Sequence, residues 1–276
     1  MARPILRRLL QVLYNRGPWG FCVLALQKVG RTLHVIKTPV VVAPSSTHSD
    51  TGTTVDLVHG SNIHPFDLVH GTDTSGLIWG EDLPTGHRND IWSTAYYGIS
   101  PSLFTHALSS LSLDWQRFTF LDVGSGKGRA LLLASRFPFK RITGVELSPQ
   151  LSAAAAANIP KFSAPWQQCY NIEAHNGDAL AFDFPAGPFV LYLYNPFLPP
   201  VLKRFLKNLN RSLTAEPREF HLIYFNPGFE RLLTKYVPGI ERQWGDTIAM
   251  AEEDALADRF GSSQEEVVVY RYLPPA

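Results

Sequence analysis

The sequence predicts an α/β fold built on a doubly wound, mostly parallel sheet. Short β-rich runs near residues 119–123, 141–145, 170–174, 188–194 and 220–225 alternate with helical segments near 128–137, 149–158 and 200–211. That alternation suits a parallel sheet covered by helices on both faces. The candidate ligand-binding acids all fall at or just after a strand's C-terminal end, where right-handed crossovers open a crevice.

Taken in order, the chain falls into three parts: a basic amphipathic segment (1–37), an irregular linker or extension (38–90) and an α/β domain (91–276). No acid precedes Asp50, whereas Arg3, Arg7, Arg8, Arg16, Lys28, Arg31 and Lys37 are basic. Leu6, Leu9, Leu10, Leu13 and Tyr14 recur at helical spacing. Three readings stay open: a helix resting peripherally on an anionic membrane or a partner, a helix packed on the domain, or a targeting peptide. No run approaches the roughly 20 apolar residues of a membrane span. A cytoplasmic location, peripheral to a membrane if the basic helix binds one, is the expectation.

The 276 residues suffice for one large α/β domain with an appendage. Lys plus Arg (25) nearly balance Asp plus Glu (24), so no global field draws nucleic acid. Cys22 and Cys169 form neither a disulfide framework nor a zinc motif, in keeping with a reducing compartment.

Within the extension, Asp56-Leu57-Val58-His59-Gly60 recurs as Asp67-Leu68-Val69-His70-Gly71, with His64 between the copies. The spacing establishes no ligand geometry, and polar-capped turns are favoured over a metal site. Ser100-Pro101 resembles a helix start, and Leu103, Ala107, Leu108 and Leu111 form its apolar stripe.

The first strand runs into Asp122-Val123-Gly124-Ser125-Gly126-Lys127-Gly128 and a helical segment. Glycines at every second position let the backbone turn sharply and lie bare against a ligand. A phosphate loop would need Ser or Thr after Gly-Lys, and a dinucleotide fingerprint would need glycine where Arg129 stands. Glu146 ends the next strand, about 20 residues on, where an acid can accept from ribose hydroxyls. Asn176-Gly177-Asp178-Ala179 follows the third strand, and Asn195-Pro196-Phe197 follows the fourth.

In this order the four elements resemble the class I S-adenosylmethionine-dependent methyltransferases, over about residues 90–272. The resemblance implies a seven-stranded sheet closed by a C-terminal antiparallel hairpin, with S-adenosylmethionine as cofactor. It assigns Asp122, Gly124, Ser125, Gly126, Gly128, Glu146, Asp178, Ala179 and Asn195 to cofactor binding. The segment before the first strand, with Thr94, Tyr96 and Tyr97, would cover the cofactor. Asn195, Pro196 and Phe197 resemble the Asn/Asp-Pro-Pro-Tyr/Phe signature of amino-group methyltransferases, and so carry the catalytic expectation. One proline is missing, which puts the second acceptor carbonyl in question.

The expected activity is methyl transfer to a nitrogen on a protein side chain or small metabolite. The alternatives are an O-methyltransferase acting on a small molecule, or a sensor or scaffold that binds the cofactor without turnover.

Overall fold

The computed structural model describes residues 63–258 and 263–274. Strands β3 (Thr119–Val123), β4 (Arg141–Glu146), β5 (Ile172–Asn176), β6 (Phe189–Tyr194), β7 (Phe220–Phe225), β8 (Ile240–Ala249) and β9 (Gln264–Tyr272) form one sheet, ordered β5-β4-β3-β6-β7-β9-β8. The first five are parallel, while β9 pairs antiparallel with both β7 and β8. This is the sheet, with its closing hairpin, that the sequence predicts. Order reverses at β3, where β4 and β6 lie on opposite sides, so a crevice opens above that strand's end.

Burial explains which segments become which strands. Every residue of β7 is buried, as are Phe189 to Leu193 of β6. Such continuous apolar runs suit central strands covered on both faces. Edge strand β5 is only half-buried, and it spans 172–176 rather than 170–174. Side chains alternate across the sheet. Phe120, Val190, Tyr192, Ile223 and Phe225 face a core shared with helices α2 (Pro101–Ser109) and α3 (Arg129–Ala134). Leu121, Val123, Leu191, Leu193, Leu222 and Tyr224 face the opposite core, shared with α5 (Pro199–Ala215).

Helix α5 buries Val201, Leu202, Phe205, Leu206, Leu209 and Leu213, which recur at helical spacing on one face. Ser148 and Pro149 start α4 (Pro149–Asn158), with the Ser148 hydroxyl accepting from the Leu151 amide. Two short helices, α6 (Arg231–Tyr236) and α7 (Glu252–Ala257), flank the hairpin.

Residues 63–90 lie within one compact unit, Asn62–Ala276, together with the sheet. Residues 63–90 already hold α1 (Pro65–His70) and β1 (Leu77–Ile78), and β1 pairs with β2 (Tyr96–Tyr97). The physical reason is Asp67, which is buried and accepts from Thr72, from the Thr74 amide and hydroxyl, and from Ser75. The second Asp-Leu-Val-His-Gly copy is thus the end of a helix, with Gly71 left-handed at φ 66°. His64 caps that helix, while His70 packs against Phe66, Phe162 and Trp166. Among the described residues, no group of three or more His, Cys, Asp or Glu side chains is placed to hold a metal ion. The segment 1–37 and the first copy at 56–60 lie outside the described residues. Among the described residues, no helix is long and apolar enough to cross a membrane.

Candidate cofactor and acceptor site

The glycine loop leaves β3 with Gly124, Gly126 and Gly128 all left-handed, at φ 81°, 54° and 86°. Only glycine adopts such angles freely. The Gly124 and Ser125 amides both donate to the Val145 carbonyl, at 2.8 and 3.1 Å, tying the loop to β4. A Cβ on Gly124 would stand 2.7 Å from Cβ of Pro196, and one on Gly126 would stand 2.2 Å from the Tyr96 ring. The missing side chains therefore admit two protein neighbours, the Asn-Pro-Phe turn and the segment before α2. The Ser125 hydroxyl is buried beside the loop without a hydrogen-bond partner.

Glu146 is held by backbone donors: Oε2 accepts from the Gly126 amide at 2.9 Å, and Oε1 from the Ser148 amide at 2.8 Å. Burial raises its carboxyl above the usual range, although the amides of Ser148, Gly126 and Leu147 pull it back. Asp122 is 3 % exposed. Burial first, and the Glu146 charge second, push its carboxyl well above the carboxylate range. Asp178 sits further along the same edge. Its Oδ1 accepts from the Leu180 amide, while Oδ2 accepts from Asn89 Nδ2 at 3.1 Å and lies 3.7 Å from His87 Nε2. Ala179 is buried against the core on the α5 side.

Residues 73–98 cross this edge as a strap. Arg129, buried at the start of α3, donates through Nε to the Thr74 hydroxyl at 2.7 Å and lies 3.6 Å from the Asp67 carboxylate. Lys127 binds Asp73 at 2.7 Å and the Ser75 carbonyl at 3.0 Å. The Asn158 amide group donates to the carbonyls of both Asp73 and Lys127. The Tyr96 hydroxyl donates to the Thr74 carbonyl, and its ring covers Gly126. Tyr97 instead reaches the Asp258 carboxylate.

The strap also meets the end of β6. Thr94 donates its hydroxyl to the Asn195 carbonyl at 2.8 Å and its amide to the Pro196 carbonyl at 3.4 Å. Ser93 bridges to Phe197, and the Leu198 amide donates to Trp92. Asn195 is 4 % exposed and left-handed at φ 43°, and its amide oxygen receives the Tyr224 hydroxyl at 3.4 Å. Both main-chain oxygens of the turn thus accept from Thr94, and the side-chain oxygen accepts from Tyr224.

The structure therefore brings the glycine loop, Asp122, Glu146 and the Asn195 turn to one sheet edge, with Asp178 beyond them. Asn89 and Tyr192 escaped the sequence reading, and Asp67 and Arg129 entered it without the contacts they make here. Asn89 and Tyr192 are isolated polar residues without a spacing to flag them. One signal was legible: Asn226-Pro227 ends β7 as Asn195-Pro196 ends β6, and both asparagines are left-handed. His221, the second residue of β7, lies at the sheet's other end, bonded to Glu219. His175 pairs with Glu173 on the edge strand.

A cofactor with a ribose and a positively charged amino-acid end fits these residues. The fixed Glu146 carboxylate, the Ser125 hydroxyl, which has no partner among the described residues, and the buried Asp122 carboxyl supply acceptors and a donor for it.

Residues 120–216 match the family model described as a methyltransferase domain. No curated protein matches the chain. Among solved structures, the [4+2]-cyclase SpnF is 15% identical, with a TM-score of 0.46, covering 63% of this chain and 82% of its own. A geranyl diphosphate methyltransferase complexed with GPP and sinefungin is 11% identical, with a TM-score of 0.45 and coverage of 62% and 77%. The geranyl diphosphate C-methyltransferase of Streptomyces coelicolor A3(2) is 12% identical, at 0.43, with the same coverage. The methyltransferase-domain match runs from β3 through α5, so it takes in the glycine loop, Glu146, Asp178 and the Asn195 turn.

Proposed function

We propose that the acceptor is a nitrogen, on a protein side chain or a small metabolite, presented at the Asn195-Pro196-Phe197 turn. One observation carries the reading: Pro196 stands directly over Gly124, at the 2.7 Å that a Cβ there would show. The turn therefore abuts the cofactor loop itself. When bound, S-adenosylmethionine supplies an electrophilic methyl group on a sulfonium, which departs as a neutral thioether.

The chain's own part is to hold and aim. Glu146 fixes the ribose end, and the strap excludes water above Gly126. Asn195 Oδ1 takes an N–H of a neutral amine and turns the nitrogen lone pair toward the methyl group. The new bond is carbon–nitrogen, the broken one carbon–sulfur, and the extra proton on nitrogen leaves to solvent. A neutral amine needs no dedicated base before attack, which agrees with His221 and His175 lying away from the turn.

Thr94 already bonds to the carbonyls of Asn195 and Pro196, so this reading assigns the orienting to the Asn195 side chain. Cell extracts incubated with cofactor carrying a labelled methyl group identify the acceptor. Asn195→Ala should then slow transfer by about a hundredfold, the scale of lost orientation, with a far smaller loss of cofactor affinity. Transfer at the parental rate would make Asn195 structural. Label recovered on oxygen would move the chain to the O-methyltransferase alternative, and tight cofactor binding without any labelled product would favour a sensor.

A further inference from the structure

Tyr192 is one of two tyrosines, with Tyr194, in the otherwise apolar β6. Its hydroxyl is buried and has no hydrogen-bond partner among the described residues. Three rings hold it in place: Phe104 at 5.2 Å, Phe120 at 5.9 Å and Phe225 at 6.0 Å between centroids. The phenol cannot swing out to find water, and a buried donor left unbonded destabilises a fold. Phenylalanine would pack there without that cost.

Its neighbour across the sheet is Asp122. The two residues are register partners across the parallel pair β3–β6, on the same face of the sheet. The Asp122 carboxyl makes no side-chain hydrogen bond among the described residues, and its position beneath the glycine loop puts it at the cofactor edge. We propose that Tyr192 is a positioning residue for Asp122: with cofactor bound, its hydroxyl donates to the Asp122 carboxylate and holds it against the positively charged amino-acid end. This rests on the cofactor reading given above.

The charges around the pair agree with that arrangement. Glu146 faces Asp122 from β4, and Glu265 faces Tyr192 from β9; both are acidic. Lys127 and Arg129, which follow the loop, are engaged by the strap at Asp73 and Thr74. A cation arriving at Asp122 relieves the repulsion from Glu146 and favours the ionised carboxylate. That carboxylate is then the acceptor which the phenol otherwise lacks.

The test is calorimetric titration of the full chain with S-adenosylhomocysteine and with 5′-methylthioadenosine, which lacks the amino-acid end, across a pH series. Tyr192→Phe should weaken S-adenosylhomocysteine binding about tenfold at neutral pH, the scale of a hydrogen bond to a charged group. The pH at which affinity falls on acidification should move up by about one unit, since the carboxylate loses a donor. Affinity for 5′-methylthioadenosine should stay within about twofold, because no charged end reaches the pair.

Without ligand, the variant should melt no lower than the parent, because an unbonded donor has been removed. A variant that binds S-adenosylhomocysteine like the parent, with an unshifted pH midpoint, would overturn the role. So would equal losses for both ligands, which indicate a general packing defect. Failure of the parent itself to bind either molecule would overturn the cofactor reading, and this role with it.

Discussion

Replacing Glu146 with alanine separates ligand binding from folding more sharply than any other single change at this site. Its oxygens hold the Gly126 and Ser148 amides at 2.9 and 2.8 Å, and each retains a second lone pair for a ribose hydroxyl. Two charge-assisted bonds to the ribose, each about 1.5–3 kcal/mol, set a ceiling of about 3–6 kcal/mol on the lost affinity. Water entering the vacated space returns part of this, so a loss of at least about tenfold is expected.

Stability should respond differently. Because burial raises the Glu146 carboxyl, ionising it costs the fold stability as pH rises from the ordinary carboxylate range through the raised value. At neutral pH alanine relieves that cost while losing two loop bonds, and the opposing effects leave a net change of about 1 kcal/mol or less. Calorimetry with S-adenosylhomocysteine reads the first quantity, and thermal unfolding of the ligand-free protein reads the second. An affinity within twofold of the parent would place the ribose away from Glu146 and refute the reasoning.

Gly126→Val drives a branched side chain into the Tyr96 ring at a backbone angle of 54°, so it should lift the strap and weaken cofactor binding by more than about tenfold. Adding Tyr96→Ala should recover part of the lost thermal stability; a folded Gly126→Val chain that binds normally would contradict both. Arg129→Met removes the buried guanidinium that ties Thr74 and Asp67 to α3. Asp67 keeps its Thr72, Thr74 and Ser75 donors, so the cost in urea unfolding should be about 2–3 kcal/mol, below the 3–5 typical of a bared buried charge. A loss under about 0.5 kcal/mol would show that the strap is held elsewhere. Asp254→Ala deprives the Ser102 amide and Ser100 hydroxyl of their acceptor at the start of α2, and should lower stability by about 1 kcal/mol in the same assay.

What the sequence determined by itself was local or periodic. The apolar runs of β3, β6 and β7 fixed the central strands, because a fully buried strand has almost no freedom in composition. Helix α5 was legible from its stripe, and the glycine loop from a spacing that only a left-handed backbone needs. The strap was not legible. Asp67, Asn89 and Thr94 are ordinary polar residues in an irregular stretch, and their partners Arg129, Asp178 and Asn195 stand 62 to 101 positions away. Only the folded chain decides that Thr94 bonds to the carbonyls of Asn195 and Pro196, or that Tyr96 fills the space Gly126 leaves. Tyr192 shows the same limit from inside a strand that was correctly read. Its apolar neighbours announce burial, but whether its hydroxyl meets a partner depends on which residue β3 sets beside it. Periodicity reports how a residue faces its own element; hydrogen bonds and charges are settled by the elements that pack against it.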